Sequence, residues 1–272
     1  MTTCAGQTRT LAVLTLFAVG IALSVCGCGG GPGGADSLQD IKQRGRLVAG
    51  VKYDVALFGE LRPGATAPQG FETDLVRELA GRMLGDPDAV DWVRVDSASR
   101  IPALQDGDVD LVCATLTVTG ERREQIEFSD PYFAAGQTLL VKEGSPIRSV
   151  DDLNGKRVST TRGSTSAARI RSLAPGAKVQ EYEGFSNAFM ALQLGGADAM
   201  TSDNTILWGY AAQHDGFEMV GGLLTEESYA MGFKRESADL VAYVNAFLKD
   251  IRADGTYDRL YQHWFPDAVP GR

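Results

Sequence analysis

Two stretches of the chain, ALQDGDVD at residues 103–110 and ALQLGGAD at residues 191–198, share the pattern that decides its architecture. They agree at Ala, Leu, Gln, Gly and Asp. Each predicts a helix end, a glycine turn and an aspartate that leads into a buried strand. Chance similarity over eight residues is the alternative, because glycine turns between helices and strands are common. The repeat predicts two similar lobes.

Short apolar strands alternate with amphipathic helices around these stretches, which is typical of an α/β protein. A helix over residues 71–84 places apolar side chains four residues apart on one face. Strands are predicted at 47–51, 90–95, 111–114, 138–142 and 157–161, and further helices at 101–105, 238–252 and 257–265. We expect two mixed sheets flanked by helices and joined by a two-stranded hinge, with lobe one at 37–135 and 228–272, lobe two at 136–227, and crossings near 134–137 and 224–229.

The repeat also places two polar residues at equivalent strand ends. Thr115 and Asp203 each lie five residues past the matched aspartate of their repeat. In open α/β sheets, ligands bind outside the carboxyl ends of the strands. Two facing lobes would therefore present Thr115 and Asp203 to one cleft. A strand-end aspartate is also a common helix cap, which is the alternative for Asp203.

A second informative stretch, ATLTVTGERREQIEFSDPYF at residues 114–133, combines hydroxyls with a guanidinium. Thr115 and Thr117 end an apolar strand, and Arg122 follows a few residues later. Arginine is a rigid, permanently charged fork that fits a carboxylate with two hydrogen bonds. The stretch favours a site for a small carboxylate ligand over a surface turn with incidental charges.

The first residues of the chain resemble an export leader. An apolar run at 11–25 follows Arg9, and no acidic residue precedes Asp36. The run is shorter than the about 20 residues of a membrane span, so we predict a signal peptide at 1–27 and a flexible tether at 28–36. Cys28, preceded by Gly27, is the preferred lipidation site, Cys26 competes with it, and plain secretion is the weaker alternative. We expect an extracytoplasmic lipoprotein, anchored to the outer face of the cell membrane.

The composition excludes several classes of protein. The net charge of −9 argues against nucleic acid as a partner. Only Cys113 remains in the mature body, so an internal disulfide is not expected. His214 and His263 have neither a nucleophile nor metal-ligand spacing beside them. We expect no metal, no cofactor and no enzymatic activity.

Three motifs resemble those of the polar amino-acid-binding proteins of extracellular solute-binding protein family 3. Residues 114–133 resemble the family's T-x-T-x-T-x-E-R…F-S-x-P-Y segment, and IRADGTY at 251–257 resembles its closing motif. GFETDLV at 70–76 resembles its G-F-x-x-D-hydrophobic signature, although Thr73 stands where an apolar residue is usual. The resemblance covers residues 38–265. It implies a type II periplasmic-binding-protein-like fold and a monomeric receptor that delivers an amino acid to the transmembrane subunits of an ABC permease.

The same resemblance implies a set of ligand-binding residues. Arg122 would bind the ligand's α-carboxylate, Asp203 its α-ammonium, and Thr115 and Thr117 would add hydroxyl and backbone contacts. In lobe two, a strand–glycine–helix turn would hold the same carboxylate through Ser164, Thr165 and Ser166. Free N–H groups at a helix N-terminus favour an anion independently of the resemblance. Ordinary N-capping is the alternative for Ser164 and Ser166.

Ligand preference is implied by a further segment. SASRIP at residues 97–102 resembles the segment with which acidic-amino-acid members hold a side-chain carboxylate, so Ser97, Arg100 and the basic Lys52 become candidates. Ion pairs on the lobe surface are the alternative for Lys52 and Arg100. Arg162 is a further cationic candidate, with a side chain that points outward as the alternative. Two departures concern specificity. Val55 stands where many members stack an aromatic residue on the ligand, unless Tyr53 or Phe58 substitutes for it. Phe185 stands where acidic-amino-acid members often carry a basic residue, which argues against glutamate. We expect glutamate or aspartate as ligand, with a sensor for a membrane kinase or a dehydratase-like enzyme as rival functions.

Overall fold

In the computed structural model, which describes residues 38–265, the chain forms two five-stranded sheets and two short strand pairs. The strands are β1 (Leu47–Val51), β2 (Asp54–Val55), β3 (Gly59–Glu60), β4 (Val90–Arg94), β5 (Leu111–Cys113), β6 (Glu127–Phe128), β7 (Phe133–Ala135), β8 (Gln137–Lys142), β9 (Arg157–Thr161), β10 (Lys178–Tyr182), β11 (Ala199–Asp203), β12 (Phe217–Val220), β13 (Glu227–Tyr229) and β14 (Gly232–Phe233). The helices are α1 (Leu38–Arg44), α2 (Phe71–Leu84), α3 (Arg100–Asp106), α4 (Gly120–Arg123), α5 (Ser166–Leu173), α6 (Gly184–Gln193), α7 (Asn204–Gln213), α8 (Ala238–Ala253) and α9 (Thr256–Trp264).

The two large sheets have the same strand order and the same strand directions. The first runs β4-β1-β5-β14-β6 and the second β10-β9-β11-β8-β12. In each sheet the first three strands are parallel, and the fourth is antiparallel to both of its neighbours. In each sheet this fourth strand follows a crossing of the chain between the lobes. The predicted mixed α/β lobes are confirmed.

The repeated stretches play the same part in both sheets. Gly107 and Gly195 follow α3 and α6 in the left-handed conformation, at φ 79° and 76°. Asp110 then accepts the backbone N–H of Val48 at 2.7 Å, and Asp198 accepts that of Arg157 at 2.8 Å. Each aspartate therefore ties its turn to the neighbouring parallel strand. The shared sequence pattern is a structural repeat rather than a chance similarity.

Helix α2 packs on the first sheet through the face that the sequence predicted. Phe71, Leu75 and Leu79 are fully buried, and Met83 is nearly so. Burying each such side chain contributes about 1.5–3 kcal/mol relative to leaving it exposed. The helix contacts β1, β4 and β5, while α3 contacts β5 and β14. In the second lobe α5 and α6 contact β9, β10 and β11, whereas α7 contacts β8, β11 and β12.

The two chain crossings meet in an antiparallel ladder, in which β7 pairs with β13 from Ala135–Glu227 to Phe133–Tyr229. Phe133 and Tyr229 stack with their ring centroids 5.8 Å apart. Phe58 of lobe one packs against both rings, at 5.1 and 5.9 Å. The ladder is therefore anchored in an aromatic cluster of lobe one. The domain boundaries given above remain a prediction.

Three observations concern the expected anchor and redox state. No helix within residues 38–265 is long and apolar enough to cross a membrane. Cys113 is buried in β5 as a free thiol, whose pKa burial raises well above its usual value. The predicted signal peptide, the tether, Cys26 and Cys28 lie outside the described residues.

Candidate functional site

A small cavity lies between the lobes at the carboxyl ends of β5 and β11. Its volume, measured for the centre of a water-sized sphere, is about 10 Å³, which is room for about one water molecule. Its lining is Ser97, Arg100, Thr115, Thr117, Ser164, Thr165, Ser166, Phe185, Ser202 and Asp203. Eight of the ten predicted ligand residues are in this lining. The other two, Lys52 and Arg122, lie beside it.

The two strand-end residues of the repeat meet at this cavity. Thr115 follows β5 with a φ of 45°, and its backbone N–H donates to Glu72 at 2.6 Å. Asp203 ends β11 and accepts a hydrogen bond from the Tyr229 hydroxyl. Burial and then the negative charge of Glu227 raise the pKa of Asp203 to about 7. Within the described chain the Asp203 side chain caps no N–H group of α7, so its carboxylate serves the cavity rather than the helix.

Two buried cations lie on the lobe-one side of the cavity. The Lys52 ammonium donates to Ser97 Oγ at 3.1 Å and lies 5.2 Å from the centre of the Phe185 ring. Arg100 Nη1 donates to the carbonyl oxygens of Ala114 and Thr115, at 2.6 and 3.0 Å. Its Nε is buried without a partner among residues 38–265.

Desolvation dominates the electrostatics of these cations. Burial and then the charge of Arg100 lower the pKa of Lys52 to about 7. Burial and then the charge of Arg122 lower the pKa of Arg100 to about 9. Neither cation has a carboxylate within ion-pair distance in the part of the chain that the structure describes. The alternative that they form ion pairs on the lobe surface is therefore wrong.

Arg122 links the two lobes beside the cavity. Its Nη1 donates to Thr117 O at 2.7 Å, and its Nη2 donates across the cleft to Gly163 O at 3.0 Å. The residue is 8% exposed, and burial lowers its pKa. Both nitrogens thus serve backbone carbonyl groups in this arrangement. A role for Arg122 in binding an α-carboxylate remains a prediction.

The lobe-two loop reaches the cavity between β9 and α5. Gly163 has a φ of 75°, and a Cβ there would lie 2.6 Å from Ser97 O of the opposite lobe. Ser164 Oγ donates to Thr161 O at 2.7 Å, and Ser166 is the first residue of α5. Over the described residues no side chain caps α5 by a hydrogen bond, so N-capping does not explain these hydroxyls.

Sequence reasoning missed Glu227, which is 9% exposed and contacts two residues of the cavity lining, Thr117 and Thr165. Its carboxylate accepts from Thr117 Oγ1 at 2.7 Å and from Thr165 Oγ1 at 3.1 Å. Thr225 Oγ1 donates to it as well, at 3.1 Å. No local signal in the sequence marks this role, because the Thr117 and Thr165 hydroxyls lie far from Glu227 along the chain.

Glu72, in the GFETDLV segment, is a second buried acid near the site. One carboxylate oxygen accepts from the Thr115 N–H and from the Tyr132 hydroxyl. Burial raises its pKa to about 7. Glu72 therefore holds the backbone from which Thr115 enters the cavity, so this helix start positions the site as well as the fold.

Two further candidates, Arg162 and Phe58, lie away from the cavity, whereas Phe185 lines it. Arg162 is exposed and forms an ion pair with Glu183, so it points outward. Phe185 supplies the aromatic surface of the lining, and Phe58 instead belongs to the aromatic cluster below the hinge. No group of three or more His, Cys, Asp or Glu residues suited to a metal ion occurs among residues 38–265.

Comparison with known proteins places this geometry in a family. The model of the bacterial extracellular solute-binding proteins, family 3, matches residues 47–267. The chain belongs to this family.

Individual relatives share most of its length. An ABC transporter glutamine-binding protein of Bacillus subtilis is 42% identical over 94% of this chain and 96% of its own. A glutamate-binding protein of Corynebacterium efficiens is 34% identical over 92% and 88%. The crystal structure of an ancestral amino-acid-binding protein, described as a precursor of cyclohexadienyl dehydratase, has a TM-score of 0.77 at 34% identity over 84% and 99%. The fold is thus the two-lobed, type II fold of periplasmic amino-acid-binding proteins.

Proposed function

We propose that this protein is an extracytoplasmic receptor that binds glutamate or aspartate and delivers it to an ABC permease. One observation carries the choice of ligand: Lys52 and Arg100 are buried beside the cavity without a carboxylate partner in the described chain. Burying an uncompensated charge costs several kcal/mol. A ligand with a side-chain carboxylate would compensate both cations at once.

The names of the relatives support amino-acid binding and leave the ligand's side chain open. The more similar of the two relatives is named for glutamine, and the less similar for glutamate. An amide would give the Lys52 ammonium an acceptor but no counter-charge, so the two cations would keep only the longer-range attraction of acids such as Glu72 and Asp203. This charge argument favours the acid over the amide.

The remaining contacts are assigned to the ligand's backbone. Arg122, Thr115 and the lobe-two turn from Ser164 to Ser166 would hold the α-carboxylate, and Asp203 the α-ammonium. Contacts with both lobes give the ligand a higher affinity for the closed arrangement, which shifts the equilibrium between open and closed forms. Closure around the ligand is therefore the mechanism of capture.

A thermal-shift screen of the purified protein against the twenty L-amino acids tests the proposal. A ligand at 100 times its dissociation constant should add about 2.7 kcal/mol of stability. A shift confined to glutamate and aspartate is expected. A shift with glutamine alone would keep the receptor and refute the acidic pocket, whereas no shift with any amino acid would refute the receptor.

The cellular setting follows from the family and the first residues of the sequence. Family members act outside the cytoplasm, and we assign lipidation to Cys28, with Cys26 as the alternative. The protein would act as a monomer at the outer face of the cell membrane. Presentation of the bound ligand to a membrane kinase would use the same capture step.

A dehydratase-like enzyme is the second candidate, and the ancestral protein described as a dehydratase precursor favours it. Glu72 has the raised pKa of a general acid, at about 7. Its Oε1 accepts from the Thr115 N–H and the Tyr132 hydroxyl, and its Oε2 is buried without a partner among residues 38–265. Glu72 is not part of the cavity lining, however, which argues against contact with a substrate there. Recovery of a cyclic acid unchanged after prolonged incubation would exclude this activity.

A further inference from the structure

We propose that Glu227 sets the hydrogen-bonding polarity of the Thr117 and Thr165 hydroxyls, so that both face the ligand as acceptors and select its ammonium end. The inference rests on the proposed function, because it concerns how the amino-acid backbone is oriented in the cavity. Glu227 acts through the two threonines and is a positioning residue.

The argument starts from three hydroxyl groups that converge on one carboxylate. Thr117 Oγ1 of lobe one donates to Glu227 Oε2 at 2.7 Å. Thr165 Oγ1 of lobe two donates to the same oxygen at 3.1 Å, and Thr225 Oγ1 to Oε1 at 3.1 Å. In each of these bonds the hydroxyl is the donor and a carboxylate oxygen of Glu227 is the acceptor, so each uses the hydroxyl hydrogen.

The chemistry of a hydroxyl group then decides what the cavity offers. A threonine hydroxyl has one hydrogen and two lone pairs. With the hydrogens of Thr117 and Thr165 directed to Glu227, only lone pairs remain for the cavity that both residues line. Lone pairs attract an ammonium group and repel a carboxylate. Both threonine hydroxyls would therefore contact the ligand's nitrogen, and the lobe-two turn would hold the α-carboxylate through its backbone N–H groups.

A second carboxylate lies at the same end of the cavity. Asp203 lines it, and the Tyr229 hydroxyl, from the strand that carries Glu227, donates to Asp203. The negative charge of Glu227 contributes, after burial, to the raised pKa of Asp203. The two carboxylates and the two oriented hydroxyls together offer the ligand only hydrogen-bond acceptors.

Glu227 is fixed to lobe one by its backbone. Strand β13 pairs with β7, Thr117 forms an isolated bridge with Tyr229, and the Tyr229 ring packs in the aromatic cluster. The Thr165 hydroxyl reaches Glu227 from lobe two. Opening of the cleft would therefore break the Thr165 bond first, and its hydroxyl becomes oriented as the lobes close.

The test compares Glu227→Gln with Glu226→Gln, a matched change at the neighbouring exposed residue. Calorimetry gives the dissociation constants of L-glutamate and of glutarate, which keeps both carboxylates and lacks the ammonium. Glu227→Gln should lower the preference for L-glutamate over glutarate by about tenfold or more, because a charged acceptor is lost. Glu226→Gln should leave the preference unchanged.

If Glu227 contributed only to closure of the cleft, Glu227→Gln would raise the dissociation constants of L-glutamate and glutarate by the same factor. That result would overturn the inference. If glutarate binds too weakly for calorimetry, neutron diffraction of the wild-type protein can show the direction of the Thr117 hydroxyl hydrogen. A deuterium on Thr117 Oγ1 that points to Glu227 supports the inference, and one that points into the cavity refutes it. Failure of wild-type protein to bind any amino acid would instead refute the proposed function.

Discussion

Replacing Lys52 with methionine should stabilise the ligand-free protein while it weakens the binding of acidic ligands. Lysine is fully protonated in the unfolded chain at pH 7, but burial lowers its folded-state pKa from 10.5 to about 7. Folding must therefore remove the proton or bury the charge. This cost is absent above pH 10.5, grows as the pH falls to 7, and is constant below that.

The pKa values set the expected magnitude. A shift of one unit corresponds to 1.36 kcal/mol, so the cost reaches about 4 kcal/mol at pH 7 and about 2 kcal/mol at pH 9. Lys52→Met removes this cost at both pH values. Any change in packing contributes equally to the unfolding free energy at pH 7 and pH 9. The gain in unfolding free energy should therefore be about 2 kcal/mol larger at pH 7 than at pH 9.

Urea unfolding of wild type and Lys52→Met at both pH values measures this difference, with Lys249→Met as the exposed control. Calorimetry should show a loss of about 2–5 kcal/mol in glutamate affinity and a smaller loss for glutamine, because only the acid loses a counter-charge. A stability gain that is identical at pH 7 and pH 9 would refute the lowered pKa. Equal losses for glutamate and glutamine would refute the role of Lys52 in selecting the acid.

Three further changes test other parts of the site and the anchor. Arg122→Ala should weaken every amino-acid ligand by about 2–5 kcal/mol in calorimetry, because it removes the α-carboxylate partner; an unchanged affinity would contradict the assignment. Gly163→Ala places a Cβ 2.6 Å from Ser97 O, so small-angle scattering of the ligand-saturated protein should detect a larger radius of gyration, and an unchanged radius would disprove the close contact. Cys28→Ser should release the protein from the membrane fraction while Cys26→Ser does not, and the reverse pattern would assign the anchor to Cys26.

Individual helices and strands could be predicted where a local sequence pattern defines them. Helix α2 (Phe71–Leu84) and strand β1 (Leu47–Val51) have the bounds that the apolar pattern indicated. The eight-residue repeat predicted two equivalent sheets, because a glycine turn and an aspartate are required at the same place in both. The two-residue strands β2 and β3 were not foreseen, since two residues are too few for a periodic pattern.

The site was predictable where a motif fixes a backbone position. Thr115, Thr117 and Asp203 meet at the cavity because strand ends converge there. Glu227 escaped sequence analysis because its role depends on hydroxyls more than 60 residues away, at Thr117 and Thr165. No local pattern records such a convergence, and an isolated glutamate is most often a solvated surface residue.

The distribution of charge between the lobes explains how one cleft can hold a zwitterion without its own charged groups pairing with one another. Lys52, Arg100 and Arg122 all belong to lobe one, whereas Asp203 belongs to lobe two and Glu227 to the hinge strand between them. Glu72, the buried acid of lobe one beside these cations, accepts from the Thr115 N–H and the Tyr132 hydroxyl and forms no ion pair with Lys52 or Arg100 among the described residues. The attraction between the cations and the acid of the facing lobe strengthens as the cleft closes. The attraction between Arg100 and Asp203 acts in this way, since each favours the charged form of the other. A ligand whose carboxylates and ammonium lie between these groups satisfies both lobes, and closure and recognition are therefore one step.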